Sequence, residues 1–318
     1  MDAQKKLISV IIPAYNEEDV LDQLIERLIK ALESWEDDNE ILFVDDGSRD
    51  RTWEIIKKYN KKYKNIKGIK FSRNFGHQAA VTAGLNYVKG DAALVIDADL
   101  QDPPELLLEF INKWKEGYDV IYAVRKKRKE SLFKKISYFL FYRLLQKLSE
   151  IKIPLDSGDF CLMDRKVIDK LNELPEKRRF IRGLRAWVGF KQTKLEYERP
   201  ARVGGEPKYS IIKLIELALN GLLSFSSLPL RFASIMGLIF AGTSFFGFIF
   251  FLVYRIFDLT LFGYKITQTA GITTILLTVL FLGGIQLITI GIIGEYVGRI
   301  FEEIKGRPTY ILGDTLGI

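Results

Sequence analysis

LISVIIPAYNEE (residues 7–18) is an apolar, β-rich run that breaks off into proline, asparagine and two glutamates; a helical pattern follows over 18–34, and ILFVD (41–45) is a second such run. Outward from this unit the rhythm repeats: a helical stretch 50–63, IKGIKF (66–71), a helical stretch 76–89, AALVID (92–97), a helical stretch 104–116, and DVIYAV (119–124). Short apolar strands alternating with helices predict an α/β fold, Rossmann-like, with a mostly parallel sheet covered on both faces. Asp50 is placed to cap a helix starting near Thr52, and Pro103-Pro104-Glu105 is a helix-start signature. Ala79, Ala80, Ala83 and Gly84 give one helix a small-residue face for close packing on the sheet.

Ligands of such sheets sit beyond the carboxyl ends of the strands, so the polar residues there carry the chemistry. Strand 1 ends in Pro13-Ala14-Tyr15-Asn16-Glu17-Glu18, where a dinucleotide-binding protein would carry G-x-G-x-x-G, and no P-loop occurs. Strand 2 ends in Val44-Asp45-Asp46-Gly47-Ser48, and strand 4 in Asp97-Ala98-Asp99-Leu100-Gln101-Asp102. In an extended backbone alternate residues point the same way, so Asp97, Asp99 and Gln101 can present oxygens to one point. Hard oxygen ligands suit Mg²⁺ or Mn²⁺, which keep positions open for diphosphate oxygens.

The 318 residues hold 47 Lys+Arg against 40 Asp+Glu, a formal charge of +7, and 48% are apolar, which excludes a disordered chain. The charge is concentrated in the front. After Leu230 only Arg231, Arg255, Lys265, Arg299, Lys305 and Arg307 are basic, and Asp258, Glu295, Glu302, Glu303 and Asp314 acidic. The stretches 232–254 and 266–294 carry no charge, and each exceeds the ~20 residues a helix needs to cross a bilayer. The expectation is a soluble domain over 1–210, an interfacial helix over 211–230, a two-helix transmembrane hairpin over 231–298 with a tight turn at 255–265, and a tail over 299–318. The N-terminal apolar run is too short for a signal peptide, which leaves the soluble domain on the cytoplasmic side of a multi-pass protein of the plasma membrane. One cysteine, Cys161, permits no intramolecular disulfide, and one histidine, His77, excludes a multi-histidine zinc site.

Residues 125–150 mix Arg125, Lys126, Lys127, Arg128 and Lys129 with an aromatic, apolar side that includes Phe133, Ile136 and Phe139. Such a basic amphipathic segment suits either an anionic membrane lipid surface or its own domain's surface. Nucleic acid is not an expected partner, because no recognisable module accompanies the basic run. Gly242, Gly247, Gly283, Gly284, Gly291 and Gly294 dot the two spans at spacings that permit close helix packing, including association between protomers.

Taken together, IIPAYNEE, VDDGSRDRT, SRNFGHQAA, DADLQDPPE and SGDFCLMDR resemble the family 2 inverting glycosyltransferases of the glycosyltransferase-A fold. The subgroup this resemblance indicates is the polyprenyl-phosphate glycosyltransferases, similar to dolichol-phosphate mannose synthase and the bactoprenol glucosyl transferases. The resemblance implies that Pro13, Tyr15, Glu17, Asp46 and Ser48, with Asp97, cradle the nucleotide, and that Asp97, Asp99 and Gln101 handle metal and diphosphate. Asp159 occupies the place of the family's catalytic carboxylate, as a base or an orienting group. Arg202, Gly205, Lys208 and Tyr209 resemble the R-x-x-G-x-S-K-Y segment that closes over donor and acceptor phosphates, with Pro207 in place of its serine. Arg202, Lys208 and Tyr209, with Arg125 and Arg128, are thus the acceptor-phosphate candidates.

The implied reaction moves one hexose, from UDP-glucose by preference, to a polyprenyl phosphate such as undecaprenyl phosphate, with inversion. GDP-mannose, UDP-GlcNAc and UDP-4-formamido-arabinose are alternative donors, and a non-catalytic lipid-binding subunit is the rival class. The Q-x-x-R-W signature of processive synthases is absent, since Arg185-Ala186-Trp187 does not match it. His77 reads as a donor-loop or capping residue before a general base, and Cys161 as structural.

Overall fold

In a computed structural model, residues 5–33, 35–125, 157–177, 179–198, 228–257, 260–261, 264–265 and 272–318 are described. The chain divides into two compact units, one formed by residues 1–221 with 306–318 and the other by residues 222–305.

The first unit is built on an eight-stranded sheet in the order β10-β3-β2-β1-β4-β6-β5-β7. Strands β1 (Leu7–Ala14), β2 (Asp38–Asp45), β3 (Ile66–Phe71) and β4 (Ala92–Val95) run parallel, as expected. They read as continuous apolar runs because they lie under helices on both faces; β4 is buried throughout, and β1 from Ile8 onward. Helix α1 (Leu21–Leu32) turns Leu21, Leu24, Ile25, Leu28 and Leu32 inward at helical spacing. At the start of α2 (Thr52–Lys62), Asp50 Oδ1 accepts the Thr52 N–H at 3.0 Å, the expected end contact. Helix α3 (His77–Tyr87) packs its small-residue face so closely that a Cβ on Gly84 would fall 2.2 Å from Ile11 Cγ2. Pro104 opens a 3₁₀ turn that leads into α4 (Leu107–Lys115).

Two strands depart from the simple alternation. β5 (Val120–Arg125) does not pair with β4: β6 (Ser157–Asp164) lies between them, antiparallel to both. β7 (Gln192–Tyr197) continues parallel to β5, so six strands share one direction while β6 and β10 (Leu312–Leu316) oppose them. The fold is thus the expected Rossmann-like α/β architecture with a mixed sheet. The segment expected to be a tail supplies β10, which pairs with β3 at the sheet edge.

The second unit contains helices Leu228–Ile256 and Ile272–Ile304, with the antiparallel pair β8 (Thr260–Leu261) and β9 (Tyr264–Lys265) between them in sequence. Among the described residues one stretch, Phe281–Ile304, is long and apolar enough to cross a membrane, and Ala233–Gly247 is a shorter apolar stretch. Gly242, Gly247, Gly283, Gly284, Gly291 and Gly294 face open space within the single chain. The segments 126–150 and 211–227, expected at the membrane surface, lie outside the described residues.

Candidate active site

The chain steps outward from β1 through β2 to β3, then returns across β1 to β4. That reversal is a topological switch point, where the loops leaving neighbouring strands separate and open α/β sheets place their ligand crevice. The loops after β1 and β2 are laced together on one side of it: Asp46 N–H bonds Ala14 O at 2.9 Å, Asn16 N–H bonds Ser48 Oγ at 3.0 Å, and Glu17 N–H bonds Thr52 Oγ1 at 2.9 Å. Asn16 sits at φ 53°, a left-handed conformation asparagine tolerates, and its Oδ1 accepts the Arg49 N–H. Gly47 is at φ 70°, and a Cβ there would lie 2.4 Å from the Arg73 carbonyl carbon, so only glycine fits.

Asp46 is buried and accepts the backbone N–H groups of Phe75, at 2.6 Å, and Gly76, at 2.9 Å. Burial, reinforced by Asp45, pushes its carboxyl up despite those two bonds. Its oxygens therefore hold the β3–α3 loop against the β2 end. Pro13 is buried inside β1 beside Val44, Ser48 is buried, and Tyr15 and Glu17 are half-buried at the crevice. Five of the six residues assigned to the nucleotide thus gather on one side, with Asp46 also building its wall, while the sixth, Asp97, lies on the loop after β4.

Across the crevice, β4 ends at Val95, and residues 97–101 pass through a turn with Leu100 at φ 59°. The extended backbone expected for Asp97-Ala98-Asp99-Leu100-Gln101 is corrected accordingly. The alternation nevertheless survives the turn: Asp97, Asp99 and Gln101 are half-buried on the open side, whereas Ala98, Leu100 and Asp102 are buried. Asp99 Oδ1 accepts the Gln101 N–H at 3.1 Å, and Asp102 points inward to the Tyr197 hydroxyl. Burial raises the Asp97 carboxyl, and the neighbouring Asp159 and Asp99 charges raise it further against the opposing pull of His77. Among the described residues no group of three or more His, Cys, Asp or Glu is arranged to hold a metal ion by itself. Two crowded carboxylates on an open edge fit Mg²⁺ or Mn²⁺, which need few protein ligands when phosphate oxygens and water complete the shell.

Asp159, on β6, closes the third side. Its side chain is 5% exposed and receives Arg182 Nε at 2.7 Å, Arg182 Nη2 at 3.0 Å and Gln78 Nε2 at 3.3 Å, while His77 Nε2 lies 3.1 Å away. Although burial opposes ionisation, Arg182 and His77 hold this carboxyl well below the usual carboxylate range. It is a weak proton acceptor. Burial alone would lower His77, but the bond to Asp159 and the Asp97 charge lift it to about 9. The raised value favours the imidazolium at neutral pH, with Nε2 3.8 Å from Asp97, which suits a charge partner better than a base. Gln78 Oε1 accepts the Ile181 N–H, tying the α3 start to the helix Ile181–Trp187 that carries Arg182.

Arg182 and Gln78 belong to the site and were not anticipated. Their partner lies 23 and 81 residues away in sequence, and no local spacing reports it. Arg185, three residues on, is buried over the Tyr122 ring and beside Cys161. Cys161 is buried and free, with its thiol pushed up by burial, as a structural residue should be. Arg128, Arg202, Lys208 and Tyr209 lie outside the described residues, and of Arg125 only the backbone, at the end of β5, is described.

The model of glycosyl transferase family 2 matches residues 9–171, from β1 through β6, and so takes in the three carboxylate groups just described. The chain is 48% identical over 311 residues to the uncharacterized glycosyltransferase YkcC of Bacillus subtilis, covering 98% of this chain and 94% of YkcC. It is 42% identical over 312 residues to an uncharacterized glycosyltransferase of Synechocystis sp., covering 98% and 96%. To the SfII prophage-derived bactoprenol glucosyl transferase of Shigella flexneri it is 39% identical over 307 residues, covering 96% and 97%. A half-chain family match and near end-to-end identity of this size show that the chain belongs to glycosyl transferase family 2.

Proposed function

We propose that this glycosyltransferase moves one glucose from UDP-glucose to the phosphate of a polyprenyl phosphate such as undecaprenyl phosphate, with inversion at the anomeric carbon. The observation that carries the reading is the 39% identity to a bactoprenol glucosyl transferase across 96% of the chain, apolar C-terminal helices included. A phosphate oxygen of the acceptor forms the new bond to the anomeric carbon as the bond to the diphosphate breaks, and UDP leaves with that electron pair. Pro13, Tyr15, Glu17, Asp46 and Ser48 bound the nucleotide side, and Asp97, Asp99 and Gln101 the diphosphate side. A divalent cation held at Asp97 and Asp99 would offset the charge that builds on the diphosphate.

The Asp159 cluster supports a reaction without a general base. A phosphomonoester with a second pKa of about 6 is mostly dianionic at neutral pH and needs no proton removed. Asp159, held ionised by Arg182 and His77, fixes those two cations at the crevice, where they favour anionic ligands. Arg202, Lys208 and Tyr209, with Arg125 and Arg128, are assigned to the acceptor phosphate.

The membrane reading has its own support. Residues before 222 and after 305 belong to one compact unit, so a segment between them that enters a bilayer must cross it an even number of times. We take Phe281–Ile304 as one span and the helix Leu228–Ile256, which holds the shorter apolar stretch, as the other, with the catalytic unit on the cytoplasmic side as the use of a nucleotide sugar requires. The test is to incubate purified protein and undecaprenyl phosphate with a panel of radiolabelled nucleotide sugars. Label from UDP-glucose should enter the lipid phase; no lipid label from any donor would overturn the reading.

A further inference from the structure

We infer that Tyr310, on the segment returning from the apolar helices, is a positioning residue for the loop 72–76 on the nucleotide side of the crevice. The inference rests on the functional reading above, which puts Asp46, the carboxylate that holds this loop, on the nucleotide side. β10 lies antiparallel along β3, with Leu312 opposite Phe71 and Leu316 opposite Gly68. Just beyond this ladder, Ile311 O accepts the Ser72 N–H at 3.0 Å. A Cβ on Gly313 would stand 3.3 Å from Phe71 C and Ser72 N, so the two backbones touch where β3 becomes the loop.

Tyr310 is placed at that junction. Its ring stacks on Phe71 with centroids 5.0 Å apart and planes 11° from parallel, and its hydroxyl accepts Asn86 Nδ2–H at 3.0 Å from α3. Phe71 in turn meets Phe75 edge-on at 5.8 Å and 90°. Phe75 and Gly76 are the residues whose N–H groups bond Asp46, and His77 next in sequence touches Asp159. A continuous set of contacts therefore runs from Tyr310 through Phe71 and Phe75 to Asp46. The strand is held independently at Asp314, which accepts Trp53 Nε1–H at 3.2 Å and pairs with Lys57 at 3.1 Å. Without β10, β3 would be an open edge, and the loop after it would lose the side on which its aromatic pair is braced.

The experiment compares full-length wild type, Tyr310→Ala, Tyr310→Leu and Tyr310→Phe in detergent. Hydrogen exchange without ligand reads the Phe75 and Gly76 amides directly, and steady-state kinetics read UDP-glucose use. Loss of one aromatic pair predicts faster exchange at these amides and a KM for UDP-glucose raised about two- to tenfold in Tyr310→Ala and Tyr310→Leu, with kcat little changed. Tyr310→Phe keeps the stack and should restore both readouts. Unchanged exchange and KM in folded Tyr310→Leu, or equal defects in Tyr310→Phe and Tyr310→Ala, would overturn the inference. If wild type proves unable to use UDP-glucose, the functional reading fails, while the exchange comparison still decides the role of Tyr310.

Discussion

Asp159→Asn removes a charge while keeping nearly the same shape, and it separates an anchor from a base. The carboxylate receives two bonds from Arg182 and lies 3.1 Å from His77, with its own side chain 5% exposed. Breaking a buried pair costs ~3–5 kcal/mol. Arg182 keeps 32% of its side chain in water and the amide oxygen still accepts a bond, so the loss should be nearer ~2–3 kcal/mol. At 2–4 °C per kcal/mol for a domain of this size, the melting temperature should drop by about 4–12 °C. The four tryptophans, Trp35, Trp53, Trp114 and Trp187, all precede residue 222, so intrinsic fluorescence on heating reports this unit alone. Activity should fall about 30- to 150-fold, the same free energy lost from the alignment of Arg182 and His77. A general base would show the opposite division, with ~10²–10⁴ lost in rate and no loss of stability. An inactive Asp159→Asn protein that melts within about 1 °C of wild type would refute the anchoring role.

Three further outcomes follow from the site and the membrane reading. His77 is raised in the folded state to about 9, so its contribution to stability is fully present below its unfolded pKa of about 6.5 and is lost as pH rises through 9. In EDTA, wild type should lose melting temperature across that window, and His77→Gln should flatten the profile; parallel curves would contradict the ion pair. Gly47→Ala forces a side chain into φ 70° and against the Arg73 backbone, which should cost ~1–3 kcal/mol and raise the KM for UDP-glucose; an unaffected KM would remove the loop from the donor site. Arg202→Ala should lower transfer about 30- to 150-fold with UDP affinity intact, the value of a buried phosphate contact of ~2–3 kcal/mol. A larger loss on neutralising Lys126, Lys127 and Lys129 together in neutral detergent would move the acceptor site to 125–150.

The parallel strands and the carboxylates at their ends were legible because local physics writes them. Strands buried on both faces read as unbroken apolar runs, and chemistry-bearing residues cluster where those runs stop. What stayed hidden depends on distant pairing. Nothing local in SGDFCLMD reveals that β6 inserts between β4 and β5, because its partners come from other strands. LGDTL, exposed along most of its length and carrying Gly313, reads as tail until β3 is seen beside it. The geometry assumed for Asp97 to Gln101 failed at Leu100, whose left-handed turn an apolar β-rich pattern does not announce. The in-and-out alternation left Asp97, Asp99 and Gln101 half-buried all the same.

The proposed product carries one sugar joined through one phosphate, and the isolated lipid decides it. Nuclear magnetic resonance of the purified product should show a single hexose in β linkage and one phosphorus atom in a phosphodiester to the polyprenol. A diphosphate-linked sugar, an α anomer or a chain of hexoses would contradict the account.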